Sequence, residues 1–213
     1  MTDFLHPDLR DPARLDALRT TLAETRRLRL SPLLSEPLAD ELLAAVREQA
    51  FQLNAVHFGD FNHLYWHFFF RPGEGHPLLS SFATWLREDL CALVCSLTGR
   101  TLQPTSTGHA VATLYSHGCY LDIHNDGGNG RSVAFVVGLT PGQWPEEEGG
   151  GLEFLARAGR GVVVTERLRP GWNTLDLFDV ASDPPLHRIP MVIGPHERRA
   201  FSGWFYAAAQ PEA

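Results

Sequence analysis

Residues 119–140 read CYLDIHNDGGNGRSVAFVVGLT, and this stretch decides the fold. Its two ends are rich in β-branched and aromatic residues, and NDGGNG between them is turn-forming, so it reads as two strands joined by a glycine loop. The same alternation extends outward. HAVATLY (109–115) precedes it, while GLEFL (151–155), GVVVT (161–165), NTLDLFDV (173–180), LHRIPMVI (186–193) and AFSGWFYA (200–207) follow. Eight short strands at this spacing predict a sandwich or barrel, and eight suits a jelly roll.

Upstream the pattern changes to mainly helical. Residues 12–29 alternate Leu with Arg, Asp and Glu, as an exposed helix would. Ser35 is placed to cap a helix running to about Ala50, with Leu38, Leu42, Leu43 and Val46 on one face. Leu79, Phe82, Leu86, Leu90, Val94 and Leu97 recur at three and four residues before a stop at Gly99. Between these helices, VHFGDFNHLYWHFFFRPGEGHP (56–77) reads as a strand and loop, lining or covering a pocket or else forming a buried edge strand. The expected architecture is α+β: residues 1–100 form a helical and lid region, packed on one sheet of a double-stranded β-helix, or jelly roll, over 101–213. The two parts make one structural domain overall.

Composition removes several function classes. The 213 residues carry a formal charge of −7, which opposes general binding of nucleic acid or anionic membranes. All 18 cationic residues are Arg, so Schiff-base chemistry and a phosphate-loop lysine are absent. Three cysteines, Cys91, Cys95 and Cys119, make no disulfide framework and suit a reducing compartment. The charged N-terminus lacks an apolar signal region, and no apolar run approaches a membrane span, so the expected location is cytoplasmic.

Among ten histidines, His124 stands out because Asp126 follows it at a predicted strand end. In extended backbone, residues i and i+2 point to the same side, so imidazole and carboxylate converge. His187, on a later predicted strand, supplies a third ligand; two imidazoles and one carboxylate on one face of an octahedron suit iron(II) oxygenases. A zinc-dependent hydrolase, or a turn cap and a core histidine, satisfies the same spacing. Eleven residues past His187, Arg198 and Arg199 open a strand on opposite faces. Either guanidinium could bind a carboxylate bidentately, and periodicity leaves the choice open.

Taken in order, LYSHGCYLDIHND, GRSVAFVVGLTPGQW, GGGLEFL, RPGWNTLDLFDV, LHRI and RRAFSGWFY resemble the 2-oxoglutarate/iron(II)-dependent oxygenases of the prolyl-hydroxylase type, in particular the catalytic half of ribosomal-protein prolyl 3-hydroxylases. The likeness covers about residues 108–206. It implies a dioxygenase using Fe(II), 2-oxoglutarate and O2 to hydroxylate a prolyl residue, a free amino acid or another small molecule. It further implies His124, Asp126 and His187 as metal ligands, Arg198 as partner of the distal 2-oxoglutarate carboxylate, and Tyr115 as a pocket residue. Gly149–Gly151, Trp172 and Asn173 match turn positions, and Trp204 is expected in the core. Two positions depart from the family: relatives often carry Tyr where Gly138 stands and Ser where Ala200 stands, both bonding that carboxylate. Loss of both contacts leaves a non-catalytic metal- or ligand-binding jelly roll as the competing reading.

Overall fold

The computed structural model describes residues 3–59, 61–104 and 110–208. His109, at the head of the first β-rich run, lies outside them. Strand β1 (Arg27–Leu30) is followed by β2 (Gln52–Phe58), β3 (Phe61–Phe70) and β4 (Leu102–Pro104). Each of the eight C-terminal runs then supplies one strand: β5 (Ala110–Tyr115), β6 (Tyr120–His124), β7 (Arg131–Leu139), β8 (Leu152–Ala158), β9 (Gly161–Leu168), β10 (Trp172–Asp179), β11 (Leu186–Ile189) and β12 (Arg198–Ala207). All the pairings are antiparallel, in the order β1-β10-β7-β12-β5-β3-β6-β11-β8-β9, with β2 on β3 and β4 on β12. The sheet folds over itself: Phe154 of β8 meets Phe178 of β10 edge-on at 5.3 Å, although seven places separate their strands on that path.

The helices are α1 (Pro12–Thr25), α2 (Glu36–Arg47), α3 (Pro77–Arg87) and α4 (Asp89–Thr98). They cover one face of the sheet. Val133, Val137 and Leu139 of β7, Leu175 and Leu177 of β10, and Phe201 and Phe205 of β12 point into a core shared with Leu42, Phe82, Leu86 and Val94. Phe82 is fully buried, with its ring 4.7 Å from that of Phe201. The opposite face of the same strands looks into a cavity. Buried on both sides, β7 reads as a near-continuous apolar run rather than an alternating one.

Three departures from expectation have local causes. Helix α1 ends at Thr25, because Arg26 adopts a left-handed conformation (φ 59°) and sends residues 27–30 into β1. The stripe Leu79–Leu97 is broken at Glu88 into two helices, although all six of its apolar residues are buried and Gly99 (φ 67°) caps its end. The aromatic stretch supplies β2 and β3, so the N-terminal half is less helical than expected. Strand β3 is central rather than an edge: His63 and Leu64 pair with β6, and Trp66–Phe70 pair with β5.

Asn173 ties the N-terminal segment to the barrel. It is fully buried with φ 53°, its Oδ1 accepts from the N–H groups of Leu33 and Leu34 (3.2 and 2.8 Å), and its Nδ2 donates to Leu34 O. Asn173→Ala leaves the N–H and C=O of Leu34 without these partners, while Leu33 N–H keeps its 3.0 Å bond to the residue-173 carbonyl, and the strained backbone remains. The expected cost is roughly 2–4 kcal/mol of stability, measured by denaturant titration.

Candidate metal centre and co-substrate cavity

Strands β6 and β11 pair with His124 opposite His187, and their ring centroids lie 4.1 Å apart. Each imidazole is held by its own chain. Nδ1 of His124 lies 2.8 Å from the carbonyl oxygen of Asp122, and Nδ1 of His187 lies 3.0 Å from that of Pro185. A carbonyl only accepts, so each Nδ1 carries the proton and each Nε2 turns a lone pair inward. This is the fixed tautomer that a metal-binding imidazole needs.

Asp126 stands just beyond the end of β6. Its Oδ1 is 3.7 Å from Nε2 of His124, and its Oδ2 is 3.4 Å from Nε2 of His187. The turn that carries it is tight: Asn125 Oδ1 accepts from Gly127 N–H at 3.1 Å, and a Cβ at Gly127 would meet Pro184 at 2.6 Å. All three ligand atoms lie within 4.8 Å of one another. Burial, then the neighbouring His187, pushes the His124 pKa down to about 4, so this imidazole is neutral at pH 7. Burial alone would raise the Asp126 carboxyl, but its interactions with His187 and then His124 outweigh that and hold it below the ordinary carboxylate value. Two imidazoles presenting Nε2 and one carboxylate, converging on one point, fit a divalent first-row metal.

The cluster opens into a cavity of about 490 Å³ lined by strands from both arms of the sheet. Arg198 is in its wall, only 6% exposed, and donates to Gly150 O at 3.2 Å. Among the described residues no carboxylate lies within 4.0 Å of it. Tyr115, also buried in the wall, pairs with Arg198 across β5 and β12; the guanidinium sits 5.3 Å over its ring. Arg199 does not line this cavity and pairs with Glu197.

The structure adds residues that the sequence did not single out. Phe61, His63 and Tyr65 of β3 line the cavity at every second position, and both ring nitrogens of His63 are buried without a hydrogen-bond partner among the described residues. Their signal was present in the alternation F-N-H-L-Y. Trp204 is not simply a core residue: it lines the cavity, with the guanidinium of Arg131 stacked 3.8 Å over its ring. At Gly138 there is no room for a side chain. A Cβ would meet Thr174 Oγ1 at 2.5 Å and the Gly171 carbonyl oxygen at 2.6 Å. Gly138→Ala is therefore expected to lower the unfolding temperature, because the carbonyl belongs to backbone that has little freedom to move.

Residues 110–206 match the model of the 2OG-Fe(II) oxygenase superfamily. Over 133 residues the chain is 29% identical to the prolyl 3-hydroxylase OGFOD1 of Mus musculus, covering 61% of this chain and 24% of that protein. Over 99 residues it is 28% identical to the prolyl 3,4-dihydroxylase OGFOD1 of Ostreococcus tauri, covering 44% and 19%. The chain thus spans about a quarter or less of the length of these curated relatives. In fold it is similar to a Pseudomonas putida prolyl-4-hydroxylase (TM-score 0.64, 19% identity, 92% of this chain and 100% of that one). It is equally similar to a Trichoplax adhaerens prolyl hydroxylase solved with a hypoxia inducible factor peptide fragment (TM-score 0.64, 17% identity, 91% and 89%). The fold is the double-stranded β-helix of these enzymes. Residues 110–206, a little under half of the chain, thus match the 2OG-Fe(II) oxygenase superfamily, whose chemistry uses iron(II), 2-oxoglutarate and dioxygen.

Proposed function

We propose that this protein is an iron(II)- and 2-oxoglutarate-dependent dioxygenase that hydroxylates a prolyl residue in a peptide or protein. His124, Asp126 and His187 hold the metal, Arg198 binds the distal carboxylate of 2-oxoglutarate, and Tyr115 packs beside that contact. The observation that carries this reading is Arg198. A buried guanidinium without a carboxylate partner is costly, and here it opens onto the same cavity as the metal cluster. An anion entering from solvent would offset that cost, and the bidentate match favours a carboxylate.

When bound, the iron supplies the oxidising chemistry, coupled to conversion of 2-oxoglutarate into succinate and CO2. The chain orients both ligands and keeps water away. Phe61, His63, Tyr65 and Leu121 make a largely apolar approach to the cluster. A peptidyl substrate is favoured over a free amino acid because the cavity wall continues outward. Val56 and Phe58 of β2 lie opposite His63 and Phe61, on the same face, and are 37% and 80% exposed. A cytoplasmic location agrees with three free cysteines, and no helix among the described residues is long and apolar enough to cross a membrane.

The test is turnover of proline-containing peptides and free proline with iron(II), 2-oxoglutarate and O2. The expected products are succinate and a peptide heavier by one oxygen atom, with neither formed under nitrogen. Oxidation of free proline alone would assign a small-molecule substrate. Oxygen-independent turnover with zinc would make the protein a hydrolase. Metal binding with no succinate from any of these substrates would favour a non-catalytic binder.

A further inference from the structure

Thr174, on the cavity face of β10, is 7% exposed, and its hydroxyl has no hydrogen-bond partner among the described residues. A buried hydroxyl left unpaired is costly, so its place in the fold calls for a partner from outside the chain. Thr174 pairs with Gly138 across β10 and β7, and Gly138 pairs with Ala200 across β7 and β12. With no side chain at Gly138 and only a methyl group at Ala200, nothing from these two positions screens the hydroxyl. Thr174, Gly138, Ala200 and Arg198 line one small void, which shares Arg198 and Val136 with the main cavity. Asp176, the acid on the same face of β10, is already engaged by Arg29 through bonds of 2.5 and 2.7 Å. It therefore leaves Arg198 to another anion.

We propose that Thr174 is a second co-substrate contact, its hydroxyl donating to the same carboxylate that Arg198 binds. This rests on the co-substrate site proposed above. In this chain the donor has moved one strand over: the bulk that a side chain at position 138 would bring is excluded, and a hydroxyl from β10 stands in its place. Arg198 supplies the charge, and Thr174 a neutral donor from another direction. A linear dicarboxylate whose far end reaches this corner is thereby distinguished from a monocarboxylate 2-oxo acid that stops at the metal.

The experiment is calorimetric titration of 2-oxoglutarate into the iron(II)-loaded protein under nitrogen, and of succinate into the metal-free protein. Thr174→Val keeps the shape and removes the donor. It should weaken both ligands about tenfold, or ~1.4 kcal/mol, without lowering the unfolding temperature of the ligand-free protein. Thr174→Ser, which keeps the hydroxyl, should bind within about threefold of the parent. Pyruvate, lacking the far carboxylate, should bind the parent and Thr174→Val alike. Should Thr174→Val bind 2-oxoglutarate as the parent does while Arg198→Ala loses it, the Thr174 contact is wrong and the co-substrate site stands. Should Arg198→Ala also bind normally, the co-substrate site itself is wrong.

Discussion

Alanine at His124, Asp126 or His187 is expected to abolish iron(II) binding, and with it turnover. Each variant leaves two ligands of three, and a first-row metal held by two protein groups exchanges with buffer. The loss should exceed a hundredfold in affinity, measured by anaerobic competition with a coloured chelator. Circular dichroism should show the barrel retained. His187 is the most exacting of the three, since it is 3% exposed and its ring lies 5.1 Å from that of Phe178 and 6.2 Å from that of Phe154. A filled site should show ligand distances of about 2.0–2.2 Å. Parent-like iron binding by all three variants would falsify the assignment.

Arg198→Ala is expected to raise the 2-oxoglutarate requirement on the order of a hundredfold, from the loss of ~2–3 kcal/mol of charged hydrogen bonding. One neutral donor at Thr174 cannot replace a bidentate cation in a desolvated wall. Arg199→Ala should change the requirement little, because that side chain pairs with Glu197 on the other face of β12. Ala200→Ser should leave binding unchanged or tighten it by ~1 kcal/mol if the new hydroxyl reaches the carboxylate. Titration of the three variants decides this, and a large loss confined to Arg199→Ala would contradict the orientation of the strand.

The eight C-terminal strands were legible because each run is short, β-rich and bounded by turn residues. The clustering of His124, Asp126 and His187 was legible from the strand-end pair and a distant strand histidine only together with the family resemblance, because a turn cap and a core histidine satisfy the same spacing. What escaped was decided by partners distant in sequence. Arg27–Leu30 looks helical beside α1 until its pairing with β10 makes it a strand. The stretch 56–77 is equally apolar whether it covers the barrel or threads it, and only the register with β5 and β6 shows the second. Thr174 carries no signal at all, since a threonine in a strand is ordinary until its hydroxyl is found unpaired. Gly138 reads as a missing contact, whereas the structure shows a place already filled.

Strand β3 bonds to β6 along its first half and to β5 along its second, so it is the seam by which the two arms of the sheet are continuous. It also lies upstream of residues 110–206, the segment that matches the superfamily model. A fragment cut to that match would expose the facing backbone edges of β5 and β6, inviting aggregation through strand addition. The amides of Trp66 and His67, paired with β2 on one side and β5 on the other, should be among the slowest in the chain to exchange with deuterium. Swapping segments between this protein and a relative should thus carry residues 61–70 along with the catalytic strands, because the metal-bearing arm is attached through them.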